Sequence, residues 1–178
     1  MRGGSEGTAS AAPAKRSFPP VVDAQACVLV LGTLPGEESL RRGEYYAHPR
    51  NLFWPIIFAL FDEQPALNYE ERLAYLTARR IAVWDVCEVG ERQRSADTTI
   101  RLERPNAIDR LLDQHPLIRA VAFNGTTAQR LYDRHFPRRA VLTYLALPST
   151  SPAHATIDFS AKLARWSALR NVLGEARE

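Results

Sequence analysis

Four short apolar segments alternate with stretches of helical spacing, and this alternation constrains the fold more than any other feature of the sequence. The segments ACVLVLG, IAVWDV, IRAVAFNG and AVLTYLALP each have the length and composition of a buried strand. Segments such as YEERLAYLTARR and TTAQRLYDRHF have the spacing of helices. Strands that alternate with helices predict an α/β fold, in which crossovers join parallel strands and helices cover both faces of the sheet.

The length of 178 residues fits a single domain. The first 17 residues, MRGGSEGTASAAPAKRS, are rich in Gly, Ala and Ser and lack the apolar core of a secretory signal. We predict a disordered tail over residues 1–17 and one domain over residues 18–178. No apolar run has the length of a membrane span, so we expect no membrane partner and a cytoplasmic location.

Arginine carries most of the positive charge. The chain has 21 arginines and only two lysines, with a net charge of +3 and an isoelectric point near 9.1, which weakly favours a polyanionic partner. Lys15 lies in the predicted tail and Lys162 near the last helix, so we expect no Schiff-base lysine. Cys27 and Cys87 lie in apolar runs without histidines at zinc-binding spacing, so we predict buried free thiols and no metal.

Three polar loops follow predicted strands, and they contain GTLPGEES with HPRN, DVCEVGERQR, and LPSTSPAH. Ligands of open α/β sheets bind beyond the carboxyl ends of the strands, so we predict that these loops converge on one site. We interpret TLPGEES and the stretch CEVGERQRSADTTIR as loop throughout. The segment NAIDRLLDQH is predicted to be a helix capped by Asn106, and a last helix is predicted to begin near Ser160.

The motifs LGTLPG, YYAHPRNLFW and LPSTSPAHA, in this order, resemble the uracil-DNA glycosylase superfamily. Within it the chain is most similar to the hypoxanthine (deoxyinosine) DNA glycosylase branch, and the similarity extends from Phe18 to Leu173. The resemblance implies a three-layer α/β/α sandwich with a short, mainly parallel four-stranded sheet. It also implies excision of a damaged base from DNA without metal or cofactor, by a monofunctional enzyme that forms no Schiff base.

Two positions differ from better-known branches of this family. Leu34 stands where mismatch-specific relatives carry a catalytic Asn, and Leu147 stands where the uracil-specific branch has a His. The hypoxanthine branch shares both apolar residues and relies on the Asn of its HPRN-like segment, which is Asn51 here. That branch tends to have Asn where this chain has His154.

Asn51 and His48 are the predicted catalytic residues. A carboxamide can orient a water through its oxygen and donate to a departing base through its nitrogen, without titrating. The alternative for Asn51 is a helix cap, and the alternative for His48 is a hydrogen bond that ties the loop.

A base that has left the duplex is bound by stacking and by polar groups at its edge. Tyr46 and Phe53 are the candidates for stacking, although either ring could instead belong to the core. Asp85 ends a strand and could bind water or cap the loop. Asn124 also ends a strand and could read an amide edge of the base or form a turn. The predicted base-binding residues are Gly32, Thr33, Tyr46, Phe53, Asp85 and Asn124.

Hydroxyl groups and exposed backbone amides contact phosphates well, and glycine lets the backbone approach closely. The predicted DNA-backbone contacts are therefore Pro35, Gly36, Arg50, Ser149, Thr150, Ser151 and His154, with Arg92 and Arg94 as weaker candidates.

The predicted function is excision of a deaminated base, hypoxanthine first and uracil or xanthine second, from double-stranded or single-stranded DNA by a monomer in base excision repair. One alternative is a uracil-specific or mismatch-specific glycosylase. A second is a damage-binding module without catalysis, suggested by Leu34 and Leu147. A third is a serine hydrolase using Ser149 or Ser151 with His154, although the chain lacks the G-x-S-x-G elbow.

Overall fold

The computed structural model describes residues 14–66, 68–91 and 101–174, without the side chains of residues 101 and 102. Its strands are β1 (Ala14–Arg16), β2 (Val28–Gly32), β3 (Ile81–Asp85), β4 (Cys87–Glu91), β5 (Arg101–Pro105), β6 (Ala120–Asn124) and β7 (Thr143–Leu147). The four predicted strands form one parallel sheet in the order β3–β2–β6–β7. Its register pairs Gly32 with Asp85 and Asn124 with Leu147, which brings these residues to the same edge.

Helices cover both faces of this sheet. They are α1 (Glu37–Arg42), α2 (Phe53–Ala59), α3 (Tyr69–Ala78), α4 (Ile108–Gln114), α5 (Thr126–His135), α6 (Phe159–Trp166) and α7 (Ala168–Leu173). Successive strand side chains point to opposite faces. Val28 and Val30 accordingly join a core cluster with α2, α3, α6 and α7, whereas Leu29 and Leu31 join another with α4 and α5. The predicted three-layer α/β/α sandwich is confirmed.

A second sheet, which the sequence analysis did not predict, flanks the first. It is antiparallel in the order β1–β4–β5, with Ala14 opposite Glu91 and Arg16 opposite Val89. The stretch after β3 is therefore not loop throughout, and the boundary predicted after residue 17 is wrong, because residues 14–17 belong to the fold. Backbone pairing with a distant strand, which composition does not reveal, holds this segment in place. Residues 1–13 and the candidates Arg92 and Arg94 lie outside the described residues.

Three local predictions also need correction. TLPGEES is not all loop, because α1 begins at Glu37. Asn106 does not cap α4, which begins at Ile108, because its Nδ2 donates 2.8 Å to the backbone oxygen of Asp85. The last predicted helix is two helices, α6 and α7, which meet at Ser167. Among the described residues, no helix is long and apolar enough to cross a membrane.

Candidate active site

A cavity of about 110 Å³ opens at the carboxyl ends of β2, β3 and β6. This is far smaller than the roughly 300–1,000 Å³ of sites for drug-sized ligands, so it suits one small planar group. The first and third predicted loops converge here, while the second contributes Asp85. The lining residues are Gly32, Thr33, Leu34, Pro35, Gly36, Glu38, Ser39, Tyr45, Tyr46, His48, Asn51, Asp85, Asn124, Ser149, Thr150, Ser151 and Pro152.

Gly32 makes room for two functional groups. A Cβ atom at this position would lie 2.6 Å from Asp85 Oδ1 and 3.0 Å from the Tyr46 hydroxyl oxygen. Both distances are too short for a side chain, so a larger residue would displace the carboxylate or the phenol. Gly32 was predicted to bind the base. The structure shows that the absence of a side chain at Gly32 also leaves space for the side chains of Asp85 and Tyr46.

Asp85 is held from several sides. Its carboxylate is buried, and Oδ2 lies within hydrogen-bond distance, 3.1 Å, of Ser17 Oγ, whose single hydrogen can also bind the Phe18 carbonyl at 3.1 Å. Its backbone oxygen accepts the Asn106 hydrogen bond described above. Burial raises the pKa of the nearby Tyr45 phenol, and the charge of Asp85 raises it further. A carboxylate fixed in this way presents a defined acceptor to the cavity.

Tyr46 lines the cavity in a strained backbone conformation. Its φ of 56° is in the left-handed region, which is uncommon for residues other than glycine. The neighbouring Tyr45 is clamped, because its backbone N–H donates 2.9 Å to the Tyr69 hydroxyl and its carbonyl accepts 3.0 Å from Trp54 Nε1. These contacts hold the segment so that the Tyr46 ring faces the site.

Phe53 supports Tyr46 from behind and does not line the cavity. The two rings stack with centroids 3.9 Å apart at 22°, and Phe53 is fully buried. Its predicted contact with the base is therefore wrong, because Tyr46 occupies the side of the ring toward the site. One face of Tyr46 lies on Phe53, so a ligand can stack only on the face away from Phe53.

Asn51 binds the start of the helix that follows it. Its Oδ1 accepts a hydrogen bond of 2.9 Å from the backbone N–H of Phe53, the first residue of α2. Asn51 is not the N-cap residue itself, because Leu52 holds that position and makes no side-chain cap hydrogen bond. Within the described part of the chain, Asn51 Nδ2 has no hydrogen-bond partner, and Asn51 lines the cavity. The hydrogen bond to Phe53 occupies only the oxygen, so it fixes the orientation of the amide and leaves a donor for a ligand.

His48 ties the same turn. Its Nδ1 accepts 3.1 Å from the backbone N–H of Arg50, and its carbonyl accepts 2.8 Å from that of Asn51. A neutral ring that accepts at Nδ1 carries its proton on Nε2, so in this state His48 can only donate through that atom. The alternative role of His48, a hydrogen bond that ties the loop, is therefore present in the structure. The Arg50 side chain is exposed and lies outside the cavity.

Asn124 and Thr150 bind each other. Asn124 Nδ2 donates 2.9 Å to Thr150 Oγ1, and the Thr150 backbone N–H donates 2.9 Å to Asn124 Oδ1. The Thr150 carbonyl in turn accepts 3.0 Å from the backbone N–H of Leu52. Thr150 is fully buried, so its predicted contact with DNA is not supported. The pair joins β6, the third loop and the start of α2, and Asn124 serves primarily to hold this loop.

Ser149 and Ser151 shape the exposed side of the third loop. Ser149 Oγ accepts 3.2 Å from the Ser151 backbone N–H, and Ser151 Oγ accepts 3.3 Å from that of Ala153. Because each hydroxyl accepts from the loop, its own hydrogen remains a donor for an anionic ligand. Gly125, with φ of 100°, permits the close approach of Ser149, since a Cβ there would lie 2.9 Å from Ser149 Cβ.

Helix α6 holds both ends of the third loop. Trp166 Nε1 donates 3.0 Å to the Pro148 carbonyl, and Lys162 Nζ donates 2.8 Å to the His154 carbonyl. Lys162 is buried, and desolvation lowers its pKa. The His154 side chain is exposed and lies outside the cavity, so the structure does not bring it to the other predicted site residues.

Comparison with known proteins decides the family. The sequence pattern described as the uracil DNA glycosylase superfamily matches residues 19–170. The chain belongs to this superfamily. It is therefore a DNA glycosylase, and DNA is its substrate class.

The similarity extends to individual proteins. A protein of Methanosarcina barkeri named hypoxanthine DNA glycosylase is 40% identical over 112 residues, which are 62% of this chain and 71% of the relative. A protein of the same name from Methanosarcina acetivorans is 38% identical over 115 residues, 64% of this chain and 73% of the relative. The solution NMR structure of a candidate uracil DNA glycosylase from M. acetivorans matches with a TM-score of 0.79 and 33% identity, over 90% of this chain and 99% of that chain.

Several residues of the glycosylase site were not predicted from the sequence. Ser17 belongs to the supposed tail, and Tyr45, Ser39 and Pro152 lie beside motif residues that were assigned roles. Glu38 puts a carboxylate at a site for DNA, but Arg41 donates to it at 2.5 Å and thereby lowers its pKa. The sequence does carry a signal for this pair, since the two residues stand three apart in a helix.

Neither lysine lines the cavity of the glycosylase. Lys15 is buried, with Nζ 3.5 Å from Glu37 Oε1, and Lys162 lies under the third loop. Cys27 and Cys87 are buried free thiols, as predicted. In the described ranges, no cluster of three or more His, Cys, Asp or Glu side chains is suited to hold a metal ion.

Proposed function

We propose that the protein is a monofunctional DNA glycosylase that hydrolyses the N-glycosidic bond of a deaminated base, with hypoxanthine as the preferred base. The observation that carries the proposal is the Asn51 amide, whose oxygen is bound by the Phe53 N–H while its nitrogen remains a donor at the cavity. The name hypoxanthine DNA glycosylase, which both curated relatives carry, supports the choice of base. Base excision repair in the cytoplasm, by a monomer acting on duplex DNA, completes the proposal.

The geometry supports a stepwise mechanism. DNA presents the damaged nucleotide outside the helix, and the face of the Tyr46 ring away from Phe53 stacks on the base. The Ser149 and Ser151 hydroxyls donate to the flanking phosphates. As the glycosidic bond lengthens, positive charge develops on the sugar and negative charge on the base. Asn51 Nδ2 donates to the departing base, while the second lone pair of Oδ1 can orient the attacking water.

The placement of the two lysines supports hydrolysis without strand cleavage. A glycosylase that also cleaves the DNA strand forms a Schiff base with the sugar, which needs an amine at the site. The two lysines of the chain are buried outside the cavity. We therefore propose that water, and not an amine of this protein, attacks the sugar.

A damage-binding module without catalysis is the second candidate, and Leu34 favours it. This residue lines the cavity at the position where mismatch-specific relatives carry a polar group, and it can neither bind water nor donate a hydrogen bond. The Asn51 donor is what distinguishes the proposed enzyme from such a module. Measurable base release eliminates the module, whereas tight binding to damaged DNA without release supports it.

The test is incubation of the protein with end-labelled duplexes that each carry one hypoxanthine, uracil, xanthine or mismatched thymine, without added metal. Alkali then converts abasic sites into strand breaks, and a parallel sample without alkali measures lyase activity. We expect alkali-dependent cleavage that is fastest at hypoxanthine. Fastest cleavage at uracil would retain the glycosylase and refute the proposed base, and cleavage without alkali would refute the monofunctional mechanism.

A further inference from the structure

We propose that Asp85 selects deaminated bases by accepting a hydrogen bond from their imino N–H, and that Ser17 positions its carboxylate. This inference rests on the proposed function. Asp85 is the buried acid that lines the cavity, and its partner Ser17 comes from the segment that precedes the matched family region. Neither the family match nor the names of the relatives assigns a role to this pair.

The chemistry of deamination explains the choice of group. Deamination converts adenine to hypoxanthine and cytosine to uracil, and in each case a ring nitrogen that was an acceptor becomes an N–H donor beside a new carbonyl. A carboxylate oxygen accepts a hydrogen bond from this N–H. In the parent base the same ring nitrogen carries a lone pair, which the carboxylate repels. Xanthine also has the N–H. Guanine and thymine have it too, so other contacts must exclude them.

The position of Asp85 suits this role. Ser17 Oγ donates to Oδ2 at 3.1 Å, and Oδ1 lies over Gly32, where a Cβ would be 2.6 Å away. An ionised carboxylate has about four acceptor positions, so a base edge can bind beside the groups that already contact Asp85. Gly32 lines the same cavity. A base that stacks on the face of Tyr46 away from Phe53 can therefore turn its edge toward Oδ1, since the Tyr46 hydroxyl is the other atom close to the missing Gly32 side chain.

Ser17 is held independently of the carboxylate. Its backbone N–H donates 2.8 Å to the Glu88 carbonyl, at the end of the β1–β4 pairing, and the next residue packs its ring edge-on against Tyr45. The Phe18 carbonyl accepts 3.0 Å from Trp84 Nε1 and 3.2 Å from the Tyr45 hydroxyl. These contacts fix the segment beside the end of β3. The Ser17 hydroxyl lies 3.1 Å from both Asp85 Oδ2 and the Phe18 carbonyl oxygen. In the proposal its single hydrogen binds the carboxylate and orients it, because an ionised acceptor forms the stronger hydrogen bond.

The test compares wild type with Asp85→Asn in single-turnover reactions on duplexes with hypoxanthine or adenine at the same position opposite cytosine. Asn is nearly isosteric and can donate to the N1 lone pair of adenine. We expect hypoxanthine release to fall about 10- to 100-fold, as for loss of a hydrogen bond to a charged group, and the preference over adenine to shrink by at least as much. An unchanged preference would overturn the proposal, whether the rates stay equal or fall together.

A second arm leaves the protein unchanged. A duplex with 1-methylhypoxanthine lacks the N–H, and wild type should release this base at least 10-fold more slowly than hypoxanthine. Asp85→Ala, which makes room for the methyl group, should release the two bases at similar rates. Equal rates for wild type would contradict the role of Asp85. If wild type releases no base from any duplex, the proposed function fails. This outcome differs from an active wild type that releases hypoxanthine and 1-methylhypoxanthine equally fast, which refutes only the role of Asp85.

Ser17 is tested as a positioning residue. Ser17→Ala should reduce hypoxanthine release about 3- to 10-fold, as expected for one neutral hydrogen bond, and should weaken the preference over adenine. Ser17→Thr retains the hydroxyl and should restore both. A merely structural role would lower the rate on every base without changing the preference, and that result would remove Ser17 from the proposal.

Discussion

The double role of Asn51 can be separated by two substitutions. Its Oδ1 accepts from the Phe53 N–H at 2.9 Å, and its Nδ2 is the donor we assign to the departing base. Asn51→Asp keeps an oxygen that can accept from the Phe53 N–H, but it removes the N–H donor. Asn51→Ala removes both. The pair therefore distinguishes a structural hydrogen bond from a catalytic group, which a single alanine substitution cannot do.

The expected magnitudes differ between stability and rate. Loss of one side-chain-to-backbone hydrogen bond costs about 1 kcal/mol, which lowers the melting temperature of a protein of this size by about 2–4 °C. Asn51→Ala should show this change, whereas Asn51→Asp should remain within about 0.5 kcal/mol of wild type. Loss of one preorganised donor typically costs about 10²- to 10³-fold in rate. Both variants should show that loss, and Asp should be no better than Ala because its charge opposes the anionic base.

The assay is single-turnover release of hypoxanthine from a duplex with enzyme in excess, combined with thermal denaturation and a binding titration on the same DNA. Stability should fall only in Asn51→Ala, while the rate should fall in both. An active Asn51→Asp would refute donation by Nδ2 and would leave orientation of water by Oδ1 as the catalytic role of Asn51. Full activity in a folded Asn51→Ala would remove it from catalysis.

Three other substitutions test the support of the site. Gly125→Ala should destabilise the protein by about 1–2 kcal/mol and slow base release, because it combines a φ of 100° with a contact of 2.9 Å to Ser149 Cβ; denaturation that matches wild type would contradict this. Thr150→Val should lower the free energy of unfolding by about 1–3 kcal/mol in chemical denaturation, because the buried Asn124 amide loses its acceptor at 2.9 Å. An unchanged denaturation midpoint would contradict the stabilising role of this hydrogen bond. Desolvation lowers the pKa of Lys162 in the folded state, so the folded protein binds fewer protons than the unfolded chain as the pH approaches 10. The free energy of unfolding of wild type relative to Lys162→Met should accordingly rise between pH 7.5 and pH 9.5, and a constant or falling difference would show that the buried amine is not desolvated.

The main sheet could be predicted because each of its strands is a local signal. A strand buried on both faces is a continuous apolar run, as in β2, and its carboxyl end is marked by a change to polar residues. The convergence of the first and third loops followed from the parallel order. The second sheet gave no such signal, because β1 and β4 are short and their pairing joins Arg16 to Val89 across a long separation.

Roles within the site were harder to predict than its position. Spacing identified both Tyr46 and Phe53, but only packing shows that one ring covers the other. Asn124 and Thr150 were each assigned to the ligand, although the Asn124 side chain donates to the Thr150 hydroxyl and accepts from the Thr150 backbone N–H. Polar residues at a strand end are equally suited to bind a ligand and to hold a loop. Which role prevails depends on partners that are distant in sequence.

The most direct test of the account is to identify the released base. Wild-type protein is incubated in excess with an unlabelled duplex that contains one deoxyinosine, and the supernatant is analysed for free bases by chromatography and mass spectrometry. We expect one equivalent of hypoxanthine, with the DNA strand intact until alkali is added. Absence of free hypoxanthine, with the protein folded and bound to the duplex, would contradict the proposed glycosylase activity and favour a protein that recognises damaged DNA without cleaving it.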